Sequence, residues 1–389
     1  MRRYVEGESA VKIYTSLGRS HLWFFKWNHR YDLDGLDGLK DLSRSPKQPS
    51  RQTPKTLESV IVNLREAREK RERDETPYAL IGAFAIHKEL QDVGDAPPSV
   101  RTVHNILVRH GLIRSQPPPQ SVREILDRHY PAHNITRPGE LQQLDLVGPR
   151  YLTGSGQKYS CCNLRDVCSR RIAIEMGKNR RAVTGVSARL HAWQRMGMPP
   201  ILQHDNALEF RGSPRYPHSA GVVTRFWFAL RMESFFIPAR QPYRNGTIEN
   251  FNGLFQQRVL HSQEINNGDQ LQQEITTFEE AANTQHPHVP LNGKTSLEYE
   301  QDRGFVPQFL PKDFTFRSRV PVKEPPDGKV ACICRIRKSG KITIAAEKCE
   351  IDAELAWDYV YATIFVKEQR LKIYHQGDGI KTFPYELKP

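Results

Sequence analysis

The stretch Gln241-Pro-Tyr-Arg-Asn-Gly-Thr-Ile-Glu249-Asn-Phe-Asn252 joins a loop to the start of a helix. Its proline and glycine mark the loop, and Thr247 can cap a helix that runs to about Leu260. The helix would turn an apolar stripe toward the core, made of Ile248, Phe251, Phe255 and Val259. Glu249 lies at the border of that stripe, so we expect its carboxylate at the edge between core and solvent.

Two further carboxylates stand in segments with strand signals. Asp145 lies inside the run Leu141-Gln-Gln-Leu-Asp145-Leu-Val-Gly, so we expect it in the middle of a strand, where an unpaired carboxylate is costly. Asp205 ends the run Pro200-Ile-Leu-Gln-His-Asp205, which follows a helical stretch over residues 183–197. We therefore expect Asp205 at the carboxyl end of a strand, which is where sites form in open α/β sheets.

Each of these acids taken alone could equally be a surface or capping residue. Together they favour a cation site, because clustered carboxylates raise each other's pKa unless a cation neutralises them. Oxygen ligands select Mg²⁺ or Mn²⁺. Two such ions can activate an attacking oxygen and stabilise the leaving oxygen of a phosphoryl displacement, which is the chemistry of nucleases and polynucleotidyl transferases.

Three motifs around the acids are more specific than the acids alone. They are Leu144-Asp145, His204-Asp205-Asn206 with Phe210, and Pro242-Tyr243-Arg-Asn-Gly246-Thr-Ile-Glu249-Asn-Phe-Asn252. These motifs resemble the catalytic core of retroviral integrases and of the related insertion-sequence transposases, which carry a DDE triad. The resemblance implies an α/β, RNase H-like mixed-sheet core in which Asp145, Asp205 and Glu249 are catalytic and hold two Mg²⁺ or Mn²⁺ ions. Segments 35–46 and 286–298 also resemble such transposases, so the likeness covers nearly the whole chain.

The chain departs from the family pattern in two places. The interval between Asp205 and Glu249 holds 43 residues (206 to 248), which is longer than usual in the family. We place the implied insertion at residues 211–221, where glycine, proline and serine indicate a loop. Ala207 stands where the family usually has glycine, and alanine would be strained there if the position requires a positive φ.

Breaker-rich segments divide the chain into four expected domains and two linkers. We expect an all-α helix-turn-helix domain at 1–45, a linker at 46–56, a second, winged-helix-like helix-turn-helix domain at 57–116, a Pro-rich linker at 117–138, the RNase H-like core at 139–304, and a small SH3-like β-barrel at 305–389. The Pro-rich linker begins with Gln116-Pro-Pro-Pro-Gln120 and should be extended, holding the DNA-binding modules away from the active site.

The helices of the two amino-terminal domains carry candidate DNA-binding residues. In the first domain Ser20 caps a helix whose inward side chains would be Trp23, Phe24 and Trp27, while Lys26 and Arg30 face DNA. In the second, a helix between Ser99 and Gly111 would turn four polar side chains outward, namely Arg101, His104, Asn105 and Arg109. Arginine and asparagine can read guanine and adenine edges in a major groove. A merely solvated outer face is the alternative for each of them.

Four more residues close to the triad are candidates for contact with DNA. They are Asn206, Arg244, Gly246 and Asn252. Asn206 could also orient a ligand, and Gly246 could allow a close approach of the backbone.

Composition favours nucleic acid as the partner. The 57 basic and 44 acidic residues give a net charge of +13, and the excess is spread over every segment, as suits a protein that follows a phosphate backbone. Six cysteines in a chain of 389 residues do not indicate a disulfide framework, and the beginning Met-Arg-Arg-Tyr-Val-Glu-Gly has no apolar signal core. We expect a cytoplasmic protein without a membrane span, associated with the nucleoid when bound to DNA.

The sequence therefore predicts a DNA transposase or integrase that binds the terminal repeats of a mobile element, cleaves DNA and transfers the 3′-OH into target DNA. Because two ends must be joined, a homo-oligomer, at least a dimer, is expected on DNA. Two alternatives remain open at this point. One is a domesticated DNA-binding protein or repressor with weak or no catalysis, and the other is a metal-dependent nuclease that cuts without joining.

Overall fold

A computed structural model describes residues 2–41, 53–70, 78–94, 96–113, 130–152, 156–177, 182–206, 218, 221–238, 241–261, 265–310, 328–344 and 347–386. The chain forms two compact units, Met1–Lys55 and Thr56–Pro389. Several expectations concern residues outside the described ranges. They concern Ala207, Phe210, most of the expected insertion and the run Gln116–Gln120. None of the described helices is both long and apolar enough to span a bilayer.

The first unit contains short helices around two buried side chains. Helices α1 (Arg2–Val5), α2 (Ala10–Ser16) and α3 (His21–Asp34) are followed by a 3₁₀ turn, Asp37–Leu39. The Ser20 hydroxyl caps α3 by accepting the Trp23 N–H (3.2 Å), as expected, and Phe24 is buried. The inward position predicted for Trp23 is wrong. This side chain is 37% exposed and lies beneath the guanidinium of Arg19, at 5.7 Å.

The second unit begins with three more helices, α4 (Lys55–Lys70), α5 (Ala83–Asp92) and α6 (Val100–Arg109). Their shared core is apolar and includes Ile61, Ile86, Val103, Ile106 and Leu107. Ser99 caps α6 by accepting the Thr102 N–H (3.2 Å). The apolar spacing of α6 thus turns Val103, Ile106 and Leu107 inward and leaves a polar outer face, as the sequence predicts.

The expected core region is built on five strands. They are β1 (Leu141–Tyr151), β2 (Lys158–Asp166), β3 (Ile172–Gly177), β4 (Ile201–His204) and β5 (Glu233–Phe236). Their order is β3-β2-β1-β4-β5, with β2 antiparallel to β1 and β3, and with β4 and β5 parallel to β1. This mixed sheet confirms the expected RNase H-like core.

Helices cover both faces of this sheet. Helices α7 (Ala182–Met196) and α8 (Val222–Ala229) pack on one face, around Trp193 and Trp227. Helices α9 (Gly246–Phe255), which continues in a π-turn over Gln256–Leu260, and α10 (Gly268–Thr284) pack on the other. A short helix, α11 (Ser296–Asp302), follows and is held by a capping box at Thr295 and Glu298.

Short strands follow the core, as expected, but they differ from the expectation in joining its sheet. Strand β6 (Lys329–Arg335) pairs in parallel with β5, and β9 (Tyr359–Phe365), β10 (Arg370–His375) and β11 (Asp378–Pro384) extend the sheet. Strands β7 (Lys341–Ile344) and β8 (Glu347–Glu350) form a separate hairpin whose apolar side chains pack on β9 and β10.

The sheet continues beyond β5 because the edge of β5 needs a hydrogen-bonding partner. Without β6, the backbone of β5 would present open hydrogen-bonding groups beside the buried Phe235 and Ile237. Strand β6 supplies the missing partner, and Ala331, Ile333 and Tyr359 complete a common apolar cluster. The carboxyl-terminal strands are therefore fixed to the sheet of the core by main-chain hydrogen bonds.

The second group of helices packs directly on the core through Tyr78. This side chain is 1% exposed, stacks edge-on against Phe278 of α10 (5.1 Å between centroids), and donates its hydroxyl to Glu274. Its backbone carbonyl accepts a hydrogen bond from Nε2 of His286 (2.7 Å). The expectation that a linker holds this module away from the core therefore does not apply to the residues around Tyr78.

We predict that Tyr78→Ala lowers the free energy of unfolding by about 3 kcal/mol, as expected for deletion of a buried ring. Tyr78→Phe is the matched control, because it keeps the ring and loses only the hydrogen bond to Glu274, at a cost of about 1–2 kcal/mol. Urea unfolding of both variants measures the difference. Equal losses would show that Tyr78 does not anchor the helices through its ring.

Candidate active site

Asp145 lies in the middle of β1, as predicted, on the sheet face that α9 and α10 cover. Its Oδ1 accepts a hydrogen bond from the backbone N–H of Leu146 (2.8 Å). Its Oδ2 accepts one from the side-chain amide of Asn252 (2.6 Å). The half-buried carboxylate is thus held at both oxygens by neutral donors, which offset part of the cost of its burial.

Asn252 of α9 connects Asp145 to strand β2. It is 5% exposed, and its Oδ1 accepts a hydrogen bond from Nδ2 of Asn163 (2.7 Å). Asn163 is 0% exposed and lies opposite Asp145 in the β1–β2 register. The side chain of Asn252 therefore supports the Asp145 carboxylate, while its contact with DNA stays a prediction.

Asp205 and Asn206 follow directly on β4, at its carboxyl end, as predicted. Gln143 pairs with Gln203 in the parallel β1–β4 register. Asp145 and Asp205 stand two residues further along these adjacent strands, whose spacing is about 4.8 Å. The side-chain amide of Asn206 donates to the carbonyl of Ile237 (2.5 Å), which holds the start of this loop against the end of β5.

The histidine before Asp205 has a structural role. His204 is fully buried, with Nε2 against the hydroxyl of Ser234 (2.7 Å) and Nδ1 against the carbonyl of Asp205 (3.0 Å). Burial lowers the pKa of His204 to about 3. The ring is thus neutral with both nitrogens engaged, so it is not available as a metal ligand.

Glu249 lies in the first turn of α9. The helix begins at Gly246 with Asn245 in the N-cap position, slightly earlier than the Thr247 cap predicted from the sequence. The N–H of Ile248 donates to Oε1 of Gln143 (2.9 Å), which fixes this turn over β1. Because Glu249 precedes Asn252 by three residues, both side chains share the helix face that is turned toward Asp145.

The other two acids act electrostatically on Asp145. Burial raises the pKa of Asp145 to about 6, and the charges of Asp205 and Glu249 contribute to the rise, whereas the hydrogen bonds from Leu146 and Asn252 oppose it. Burial also raises the pKa of Glu249. The site is therefore an acidic cluster whose charged form is costly in the absence of a cation.

The donor set fits Mg²⁺ or Mn²⁺, because it consists of carboxylate oxygens. Each oxygen of Asp145 accepts one hydrogen bond and keeps a second lone pair for a further ligand. Among the described residues, no group of three or more His, Cys, Asp or Glu side chains already forms a metal cluster. Asp205 and Glu249 would therefore have to turn toward Asp145 to share an ion with it.

The turn before α9 is held by both the core and the carboxyl-terminal strands. Nε2 of Gln203 donates to the carbonyl of Arg244 (3.0 Å), and Nε2 of Gln241 donates to the hydroxyl of Tyr359 (2.9 Å). The guanidinium of Arg244 lies 3.5 Å from the ring centroid of Tyr130 and 5.6 Å from that of Tyr359. Arg244, expected to contact DNA, thus lies here in a cation–π cluster.

The other predicted DNA-binding residues belong to α6, to the first unit and to the start of α9. On α6, Arg101 and Asn105 are exposed, His104 is half-buried, and Arg109 is exposed but paired with Glu58 (2.7 Å). In the first unit Lys26 is exposed, and the half-buried Arg30 has its guanidinium 4.5 Å from the ring centroid of Trp27. Gly246 has a helical φ of −59°, and a Cβ there would meet no atom within 4 Å, so the space beside it is open.

Sequence reasoning missed Asn163, Gln143 and Gln203. Each of them is buried, and each donates or accepts a hydrogen bond that positions α9 or the turn before it. A signal was present, because single polar residues inside buried strands need a partner. The sequence does not identify that partner, because the partner lies more than 40 residues further along the chain, in α9 or in the turn before it.

The sequence of residues 230–295 matches the family described as integrase core domain. This stretch contains Glu249, Asn252 and the turn that precedes them. The match covers 66 of the 389 residues, and Asp145 and Asp205 lie outside it. It shows that this stretch is similar to an integrase core domain, and the order of strands in the sheet is that of an RNase H-like fold.

Several solved integrase structures are similar to this chain. The HTLV-2 integrase catalytic core domain in complex with magnesium, in its trimeric form, is 19% identical over 42% of this chain and 96% of that chain, with a TM-score of 0.32. The simian T-cell lymphotropic virus intasome in complex with PP2A regulatory subunit B56 gamma is 14% identical over 77% and 93%, with a TM-score of 0.34. The BIV integrase catalytic core domain is 14% identical over 43% and 97%, with a TM-score of 0.33. The likeness to an integrase core domain rests on the sequence match and not on these structures.

The raised pKa of Asp145 predicts a pH-dependent stability. Its folded-state pKa of about 6 exceeds the ordinary value of 3.8, so the folded chain retains a proton that the unfolded chain releases, and stability falls as pH rises through this window. Asp145→Asn should therefore be more stable than the parent at pH 7.5 without metal, by up to about 3 kcal/mol, with no advantage below pH ~4.

Urea unfolding at both pH values measures this difference. Glu280→Gln, an exposed substitution on α10, is the control and should leave stability unchanged at either pH. A parent and an Asp145→Asn variant of equal stability at pH 7.5 would contradict the buried, cation-free carboxylate described above.

Proposed function

Because the chain carries an integrase core domain sequence on an RNase H-like sheet, we propose that it is a DDE polynucleotidyl transferase that acts as a DNA transposase. One observation carries the proposal. Two adjacent parallel strands and the first turn of α9 direct Asp145, Asp205 and Glu249 to the same edge of the sheet, where the charges of the other two act on Asp145.

The three carboxylates would hold two Mg²⁺ ions, with Asp145 shared between them and Asp205 and Glu249 each completing one site. Bound ions supply activation of the attacking oxygen and stabilisation of the leaving oxygen. The role of this chain is to hold its acids and the DNA in register. In the first step, water adds to the phosphorus at the element end and the P–O bond breaks to release a 3′-OH. In the second, that 3′-OH attacks a target phosphodiester and a target 3′-oxygen leaves.

DNA binding in this proposal depends on surfaces outside the acidic cluster. The outer face of α6 presents the exposed side chains of Arg101 and Asn105, whose donor groups would read base edges. Lys26 and Arg30 of the first unit would contact phosphates, and Asn206, Arg244, Gly246 and Asn252 would contact the DNA beside the acids. A homo-oligomer on DNA would bring two element ends together.

The proposal predicts strand transfer that depends on each acid. With the terminal DNA of the element and Mg²⁺ or Mn²⁺, the parent should join ends to target DNA, and Asp145→Asn, Asp205→Asn and Glu249→Gln should each lose on the order of 10³-fold or more. Glu280→Gln is the matched control and should retain parental activity. Cleaved ends without joined products would indicate a nuclease, and salt-sensitive end binding without either reaction would indicate a DNA-binding protein.

The outer face of α6 generates a separate prediction on specificity. Arg101→Ala should weaken binding to terminal DNA by about 1–3 kcal/mol, while binding to scrambled DNA of the same length changes much less. Arg303→Ala removes an equal charge from an exposed arginine beyond α11 and is the control. Fluorescence anisotropy with both DNAs measures the ratio. An equal loss on both would show that Arg101 contacts only phosphates.

A further inference from the structure

Two buried amides form a directed chain of hydrogen bonds that ends on the Asp145 carboxylate. We propose that Asn163 of β2 is a positioning residue for the carboxylate of Asp145, the proposed metal ligand. Asn163 holds the side-chain amide of Asn252 in the orientation that points the Asn252 nitrogen toward Asp145. This inference rests on the proposed function, since it assigns Asn163 a role in holding the ligands of that same site.

The geometry of the chain is set by secondary structure. Asn163 is the β2 partner of Asp145 in the antiparallel register, so both side chains project from the same face of the sheet. The side chain of Asn252 extends from α9 toward that face and is hydrogen-bonded to both Asn163 and Asp145. The distances are 2.7 Å from Asn163 Nδ2 to Asn252 Oδ1 and 2.6 Å from Asn252 Nδ2 to Asp145 Oδ2.

The direction of the donors gives Asn163 its function. An amide side chain has an acceptor end and a donor end, and these are related by a rotation of 180°. Rotated in this way, Asn252 would turn its oxygen toward the carboxylate and repel it. The side-chain amide nitrogen of Asn163 donates a hydrogen bond to Oδ1 of Asn252. This bond stabilises the orientation in which Asn252 donates to Asp145.

This arrangement suits a carboxylate that must accept cations. The backbone N–H of Leu146 anchors one oxygen of Asp145 and Asn252 anchors the other, so the plane of the carboxylate is fixed while each oxygen keeps a free lone pair. Both donors are neutral. An arginine or lysine in the same place would hold the carboxylate more strongly but would repel a divalent ion.

The identity of residue 163 also favours a positioning role over simple packing. Oδ1 of Asn163 is buried and has no hydrogen-bond partner among the described residues. A buried acceptor without a partner is unfavourable, and an apolar side chain of similar size at position 163 would avoid that cost. Asn283 provides the contrast, because its amide bonds both the N–H and the carbonyl of Ile172 (2.9 and 3.0 Å) and contacts neither Asp145 nor Asn252.

The test measures the affinity of the full chain for Mn²⁺ by isothermal titration calorimetry, without DNA. Asn163→Leu should weaken Mn²⁺ binding by about 10–100-fold, the usual effect of removing a residue that orients a metal ligand. Asn283→Leu is the matched control, a buried asparagine of helix α10 on the same side of the sheet, and should lower thermal stability while leaving the affinity unchanged. Circular dichroism shows that each variant is folded.

A double-substitution cycle separates positioning from packing. If Asn163 acts through Asn252, then Asn163→Leu should cause no further loss of Mn²⁺ affinity in an Asn252→Leu background. Additive losses would overturn the relay, and so would parental affinity in Asn163→Leu. A parent that binds Mn²⁺ but joins no DNA would contradict the proposed function and leave the relay standing, whereas a parent that binds no Mn²⁺ would overturn both.

Discussion

The burial of one carboxylate constrains the rest of the site. Asp145 lies in the middle of β1 under α9, where a charge is unfavourable, and its pKa is raised to about 6. Neutral hydrogen bonds offset part of this cost, and a cation would offset the remainder. Asn252 donates one of these hydrogen bonds, and Asn163 donates in turn to Asn252. Under the proposed function, a divalent ion would neutralise the charge that Asp145, Asp205 and Glu249 share.

The structure also connects the acidic cluster to parts of the chain that lie outside the core. The turn before α9 is bonded to β4 through Gln203 and to β9 through Gln241 and Tyr359. The guanidinium of Arg244 in this turn lies close to the ring of Tyr130, in the segment that leads into the core. Strands β5 and β6 belong to one sheet. A displacement of the carboxyl-terminal strands would therefore also displace the turn that precedes Glu249.

The sequence was sufficient for the elements that carry the acids, because each has strong local signals. The strand position of Asp145, the strand end at Asp205 and the helix containing Glu249 follow from apolar spacing, glycine and proline. The link between β5 and β6 could not be derived, because strand pairing between distant segments leaves no local pattern. The role of Asn163 could not be derived for the same reason. Trp23 was expected in the core because it is aromatic, and the sequence does not show that its ring lies near the surface beneath Arg19.

Anomalous X-ray scattering from crystals of the chain grown with Mn²⁺ tests the central claim most directly, because it locates the ions without reference to activity. We predict two anomalous peaks at the edge of the sheet, both in contact with Asp145, one also in contact with Asp205 and the other with Glu249. Peaks elsewhere, or well-ordered crystals with no peak between these carboxylates, would contradict it.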